Sequence, residues 1–189
     1  MSQVIPDDVI RKLRLPDVGQ LGYVVSDVNE TVAYCRDTLG IRPWLLLNER
    51  PDPCIERGKR VHPLLRLALA HAGGVQIELI EVAEGESYHL DHLKKSEAEI
   101  HHLGFMVQDL ESRLDEAQKM GVGLIQRGTI REMGIKVEYA YLDTAETAGT
   151  VVELIQWRLG PLPMPINGTV HNLICSLGSK TLFRGRVIE

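Results

Sequence analysis

The sequence predicts an α+β fold: two tandem βαβββ modules whose curved mixed sheets enclose one site. Three observations carry the prediction. A shift of 82 residues lays Gln20 to Asp27 over His102 to Asp109, with four of eight positions identical. After each copy an amphipathic helical pattern follows. Both halves then close on a similar apolar segment, Val75-Gln76-Ile77-Glu78-Leu79-Ile80 against Thr150-Val151-Val152-Glu153-Leu154-Ile155, now offset by 75 residues.

The elements follow in order. Residues 1–17 are polar and read as an N-terminal extension, and 18–83 form the first module. Gln20 to Asp27 reads as a mostly apolar strand that ends at an acidic residue. Asp27 is placed as N-cap of the next helix, with Glu30 completing a capping box. Val28, Val32, Cys35 and Leu39 recur on one helical stripe, and Gly40 ends the helix. Extended segments around 44–47, 64–70 and 75–82 complete the module, the last two joined by the hairpin turn His71-Ala72-Gly73-Gly74. Between them, Glu49 to Pro63 carries Pro51, Pro53 and Pro63 and reads as an inserted loop able to cover a site.

Residues 84–100 are the linker, with a short helical pattern from Tyr88 to Ala98. In the second module, 101–158, Asp109 is the expected N-cap of a helix burying Leu110, Leu114 and Ala117 and stopped by Gly121. Strands around 123–126, 136–142 and 150–157 follow. Each helix should cover the outer face of its sheet and leave the other face to line a cavity. Pro161-Leu162-Pro163-Met164-Pro165 opens a C-terminal tail, 159–189, that is no regular central element.

Composition narrows the function. Of 189 residues, 44% are hydrophobic and 25% charged, ordinary globular values that exclude a disordered chain. Lys plus Arg total 21 against 26 Asp plus Glu, a formal charge of -5, so no nucleic-acid backbone or anionic membrane is expected as partner. No stretch approaches the roughly 18 apolar residues of a membrane span, and a soluble, cytoplasmic protein is expected. Cys35, Cys54 and Cys175 are odd in number and widely spaced, indicating neither a disulfide framework nor a thiolate zinc site.

Four polar side chains stand at matched places: Gln20 and His102 inside the first strand of each half, Glu78 and Glu153 inside the last. Each is flanked by apolar neighbours on its strand face. A carboxylate or imidazole there is costly unless paired or metal-bound, and a pseudo-twofold would bring all four to one centre. One imidazole nitrogen and three oxygen donors suit one divalent metal ion: zinc, nickel, cobalt, manganese or iron. Other groups carry less. His89 and His92 are expected on the surface of the linker helix. His101 alternates with His102 and is expected to miss the metal and pack or hydrogen-bond outside. Tyr139 and Tyr141 share a strand face, bordering the cavity or packing in the core.

These segments, from residue 18 to 157, resemble the vicinal oxygen chelate superfamily, also called the glyoxalase, bleomycin resistance and dioxygenase group. Its carriers are Gln20 to Asp27, Val75 to Glu81, His101 to Asp109, and Tyr141-Leu142-Asp143 through Glu153-Leu154. The resemblance implies two βαβββ modules curled around one metal, with Gln20, Glu78, His102 and Glu153 at the ligand places. That set is similar to the one in eukaryotic-type glyoxalase I (lactoylglutathione lyase), and the overall pattern also to methylmalonyl-CoA epimerases. Two departures matter. Gln20 stands where extradiol dioxygenases carry a histidine. The epimerases hold a second catalytic glutamate on a strand of the first module, whereas Val61 to Ala70 offers only His62 and Arg66.

The implied activity is that of a metal-dependent lyase or isomerase that abstracts a proton next to a metal-bound carbonyl or enediolate oxygen of a small-molecule carbonyl or thioester substrate. Glu153 would be the catalytic base, Glu78 the second catalytic candidate, Gln20 and His102 plain ligands. Arg50, Arg57, Lys59 and Arg60 of the inserted loop are candidates to meet a carboxylate or CoA phosphate. The alternatives are a non-haem metal dioxygenase and a metal-free protein of the same fold that binds or sequesters a small molecule. A homodimer is the expected assembly.

Overall fold

A computed structural model describes residues 11–94, 99–132, 134–164, 167–178 and 186–188. Its first half comprises β1 (Gln20–Val24), α1 (Val28–Leu39), β2 (Trp44–Glu49), β3 (Cys54–Glu56), β4 (Lys59–Arg60), β5 (Leu64–Ala72) and β6 (Val75–Glu84). A short helix α2 (His89–Leu93) lies in the linker. The second half contains β7 (His102–Met106), α3 (Leu110–Lys119), β8 (Gly123–Glu132), β9 (Ile135–Asp143), α4 (Ala145–Ala148) and β10 (Val151–Leu159). Then come β11 (Leu162–Pro163), α5 (Gly168–Gly178) and β12 (Arg186–Ile188). The expected βαβββ order is present in both halves.

All strands join one mixed, curved sheet in the order β12-β2-β5-β6-β1-β7-β10-β9-β8-β3-β4, with β11 beside β10. The halves meet where β1 and β7 pair antiparallel, with Leu21 opposite Leu103 on the pseudo-twofold. On either side β6 runs parallel to β1 and β10 parallel to β7. Alternation then sorts each strand between two faces. The outer face carries Ala68, Ala70 and Leu79 beneath Val28 and Val32 of α1, and Ala140, Val152 and Leu154 beneath Leu110 and Ala117 of α3. The inner face is left to a cavity.

Tertiary contacts override some local signals. Asp27 does cap α1, accepting from the N–H groups of Asn29 and Glu30, and Glu81 on β6 accepts from Val28 N at 3.0 Å. Asp109 makes no capping bond to α3. Its carboxylate is taken by Arg113 at 2.5 Å and Arg14 at 3.0 Å, and Gln156 of β10 accepts from Leu110 N instead. Leu39 does not continue the buried stripe of α1 and is 59% exposed.

The segments expected to be irregular contain regular structure. Within 49–63, β3 and β4 form a hairpin that adds to β8 of the other module, Ile55 opposite Arg127. The C-terminal tail provides α5 and β12, and β12 pairs with β2, so added strands cover both former edges of the sheet. In the N-terminal extension Leu13 is fully buried against the second module. Of the helical pattern 88–98, residues 89–93 are helix, and 95–98 lie outside the described residues.

Candidate metal centre and cavity

Register across the sheet explains how four distant residues meet. Gly22 lies between Glu78 on β6 and His102 on β7, and Gly104 lies between Gln20 on β1 and Glu153 on β10. In both rows a glycine separates a carboxylate from the other module's ligand candidate. With no Cβ on either glycine, the four side chains lean together over the vacant positions. A Cβ built on Gly22 would stand 1.8 Å from Cε1 of His102, and one on Gly104 would stand 2.7 Å from Oε1 of Gln20. The repeated Leu-Gly after Gln20 and after His102 is the sequence trace of this geometry.

His102 Nε2 faces Glu153 Oε2 at 3.1 Å, Glu78 Oε2 at 3.4 Å and Gln20 Oε1 at 3.3 Å. His102 is fully buried, Glu153 and Gln20 are 3% exposed, and Glu78 is partly buried. The candidate ligand atoms of Glu78, His102 and Glu153 all lie within 4.8 Å of one another, close enough that side-chain shifts of a few tenths of an ångström would bring them to bonds of about 2.0–2.2 Å around one ion. Glu153 Oε2 is buried and lies 3.1 Å from His102 Nε2 without a well-aligned hydrogen bond. A buried carboxylate oxygen so poorly satisfied is expensive, and a shared cation would stabilise it. The residues therefore fit a divalent ion held by Gln20, Glu78, His102 and Glu153.

Electrostatics point the same way. Burial opposes charge on His102, but the carboxylates of Glu153 and Glu78 outweigh it and push its pKa up to about 9. Burial raises the pKa of Glu153, against the pull of His102. The metal-free cluster thus retains a proton that a cation must displace.

Neighbouring residues fix the orientations. Gln76 Oε1 accepts from Gln20 Nε2 at 2.8 Å, which turns Gln20 Oε1 towards the centre. His101 Nδ1 is 2.9 Å from His102 Nδ1. When Nε2 of His102 is a ligand, its Nδ1 carries the hydrogen and donates to His101, fixing tautomer and ring plane. This corrects the outward placement expected for His101, which is 3% exposed. It precedes β7 by one residue, where strict alternation no longer holds. His89 is corrected likewise: it is 1% exposed, not on a helix surface. Its ring packs 5.0 Å from that of His101, and its Nδ1 bonds Ser87 Oγ at 2.7 Å. His92 is half-buried, its ring 4.8 Å from His101. Tyr139 and Tyr141 both border the cavity and pack in the core.

The cavity encloses about 80 Å³ and opens above the four residues, with Gln20, Glu78 and Glu153 on its floor. Sequence reasoning missed two of its lining residues, His171 and Ile174 of α5. Their spacing of three, with Cys175 next, was the available signal of a buried helix face. Arg50, Arg57, Lys59 and Arg60 do not line it; Arg50 pairs with Glu84 and Arg60 with Asp52. Among the described residues no helix is long and apolar enough to cross a membrane.

Comparison with known proteins agrees with this architecture. Three solved structures share the fold at low identity. A methylmalonyl-CoA epimerase from Mycobacterium tuberculosis is 22% identical with a TM-score of 0.56, covering 75% of this chain and 87% of its own. A variant methylmalonyl-CoA epimerase of Streptomyces coelicolor in complex with 2-nitronate-propionyl-CoA is 19% identical, TM-score 0.52, covering 80% and 99%. A hypothetical protein, BH1468 from Bacillus halodurans C-125, is 20% identical, TM-score 0.52, covering 74% and 92%. No curated protein matches the chain. The family described as the Glyoxalase/Bleomycin resistance protein/Dioxygenase superfamily matches residues 19–141. With its repeated βαβββ order and inward-facing Glu-His-Glu cluster, the chain belongs to that superfamily.

Proposed function

We propose that the protein is a metal-dependent lyase or isomerase that moves a proton next to a carbonyl group. The observation that carries this reading is the convergence of Gln20, Glu78 and Glu153 at the cavity floor over the fully buried His102, with Glu153 Oε2 3.1 Å from His102 Nε2. A divalent ion bound there supplies a Lewis acid that polarises a carbonyl oxygen and stabilises developing enolate charge. Gln20 and His102 hold the ion, oriented by Gln76 and His101. Glu153 removes the substrate proton: burial raises its proton affinity, which favours its acting as a base. Glu78, across the same centre, is the second proton-handling carboxylate.

The inward residues of β5 are Leu65, Leu67 and Leu69, so that strand offers no second carboxylate, and a lyase or one-base isomerase is favoured over an epimerase with two opposed glutamates. Gln20 in place of a second histidine disfavours the dioxygenase. Assembly as a homodimer belongs to the same reading. The chemistry is tested by solvent-deuterium incorporation into an enolisable hydroxyketone: metal-loaded protein should catalyse exchange and Glu153→Gln should abolish it with metal still bound. Full exchange by that variant would overturn the assignment of the base.

A further inference from the structure

The two carboxylates of the proposed centre occupy equivalent places in the repeat but have different neighbours. Glu78 on β6 faces Leu69 of β5, and Glu153 on β10 faces Tyr141 of β9, each pair directly opposite across an antiparallel ladder. Residues so placed share a sheet face with Cβ atoms about 4.5–5.5 Å apart, within reach of a long side chain. Leu69 has no polar hydrogen to offer. The Tyr141 hydroxyl donates to the Glu153 carboxylate. The duplicated ladder thus sets a donor opposite one carboxylate and an apolar side chain opposite the other.

Tyr141 is a rigid post. It is 3% exposed, and its ring centroid lies 5.1 Å from that of His102, 5.3 Å from that of Tyr88 and 5.5 Å from that of Tyr139. Burial first, then the charge of Glu153, push its pKa well above the usual tyrosine value, so the hydroxyl keeps the proton it donates. The two adjoining tyrosines do not duplicate the role. Tyr139 donates to Gln126 Oε1 at 3.3 Å, and Glu56 turns that amide by accepting from Gln126 Nε2 at 3.0 Å. The Tyr88 hydroxyl is buried without a partner.

Under the proposed chemistry Glu153 must loosen from the ion to take a proton. A carboxylate that gives up a metal bond in a buried site is costly unless another donor remains. At Glu153 the Tyr141 hydroxyl remains; at Glu78 the side chain opposite is apolar. We infer that Tyr141 is a positioning residue: its hydroxyl anchors the Glu153 carboxylate, which makes Glu153 rather than Glu78 the carboxylate able to leave the ion. The anchor rests on the two ladders; the departure from the ion rests on the proposed chemistry.

A double-mutant cycle on metal-free, full-length protein tests the anchor without turnover. It compares wild type, Tyr141→Phe, Glu153→Met, which keeps the side-chain length without an oxygen, and the double variant by urea melts near neutral pH. The coupling in the unfolding constant should be at least about fivefold, as for residues in direct contact; a smaller coupling would overturn the anchor. Should Glu153→Met fail to fold, the carboxylate band must shift in the Tyr141→Phe-minus-wild-type infrared difference spectrum, and an unshifted band would overturn it. On metal-loaded protein Tyr141→Phe should keep its ion and lower kcat for deuterium exchange at least about tenfold, with KM within about threefold. Loss of the ion in that variant, or an unchanged kcat, would overturn the selection of Glu153. Wild type that takes up metal yet catalyses no exchange refutes the proposed chemistry, and the cycle alone then decides the anchor.

Discussion

Replacing Gly22 by alanine tests the convergence of the two modules at a single atom. The added Cβ would stand 1.8 Å from Cε1, 2.1 Å from Nε2 and 2.3 Å from Nδ1 of His102. Non-bonded carbons settle at about 3.5–4.0 Å, so the ring must retreat by roughly 1.5–2 Å. It has little room: His102 is fully buried, bonded to His101 at 2.9 Å, with the Tyr141 ring at 5.1 Å. Overpacking of this kind costs typically about 1–3 kcal/mol, and the rigidity of the site places Gly22→Ala at the upper end, about 2–3 kcal/mol. At about 2–4 °C per kcal/mol for a chain of this size, the melting temperature should fall by roughly 5–10 °C. Because loss of a ligand's orienting partner already costs about 10–100-fold in metal affinity, displacing the ligand itself should cost at least about 100-fold. Gly40→Ala is the control. Gly40 has φ +68 and no neighbour within 4 Å, so alanine there should cost about 1–2 kcal/mol through the backbone alone and leave metal affinity unchanged. Denaturant melts and metal titrations on the two variants separate the cases. Wild-type metal affinity in folded Gly22→Ala would refute the argument.

Three further outcomes follow from the same geometry. With His102 pushed up to about 9, a metal must displace its proton. Affinity should therefore rise about tenfold per pH unit between about 6.5 and 9 and then level off. The raised imidazole pKa stabilises the metal-free fold below about 6.5, and that contribution is lost as pH rises through about 9; the stabilisation gained on adding metal should grow over the same window, and a pH-independent titration would contradict it. His89 behaves oppositely. Burial first, then His102 and His92, lower its pKa to about 3, so its contribution is present above about 6.5 and is lost towards pH 3, at about 1.4 kcal/mol per pH unit for this one buried group. Urea melts of wild type and His89→Gln between pH 7 and 5 should differ in slope by about one proton. His101→Ala should weaken metal binding about 10–100-fold by freeing the His102 ring; an unchanged affinity would remove His101 from its positioning role.

Much of the fold was legible because the modules repeat. Gln20-Leu21-Gly22 and His102-Leu103-Gly104 mark the central strands, and period-two alternation separates the face under the helices from the face on the cavity. The candidate site was legible for the same reason, since duplicated polar residues in apolar strands require a common partner. What stayed hidden depends on non-local contact. Asp109 looks like Asp27 in sequence, yet Arg14, far away in the chain, competes for its carboxylate. The three-residue spacing of His89 and His92 gives them one helix face without saying whether that face points inwards. Nothing local in Cys54 to Glu56 indicates pairing with β8, whose partner residues lie some 70 positions on. The role of Gln76 becomes readable only when its amide is seen to turn Gln20.

Whether Gln20, Glu78, His102 and Glu153 hold one divalent ion is decided by elemental analysis of purified wild type beside His102→Ala. Wild type should carry about one divalent ion per chain and the variant should lose it. Metal in neither protein, or equal metal in both, would contradict that assignment.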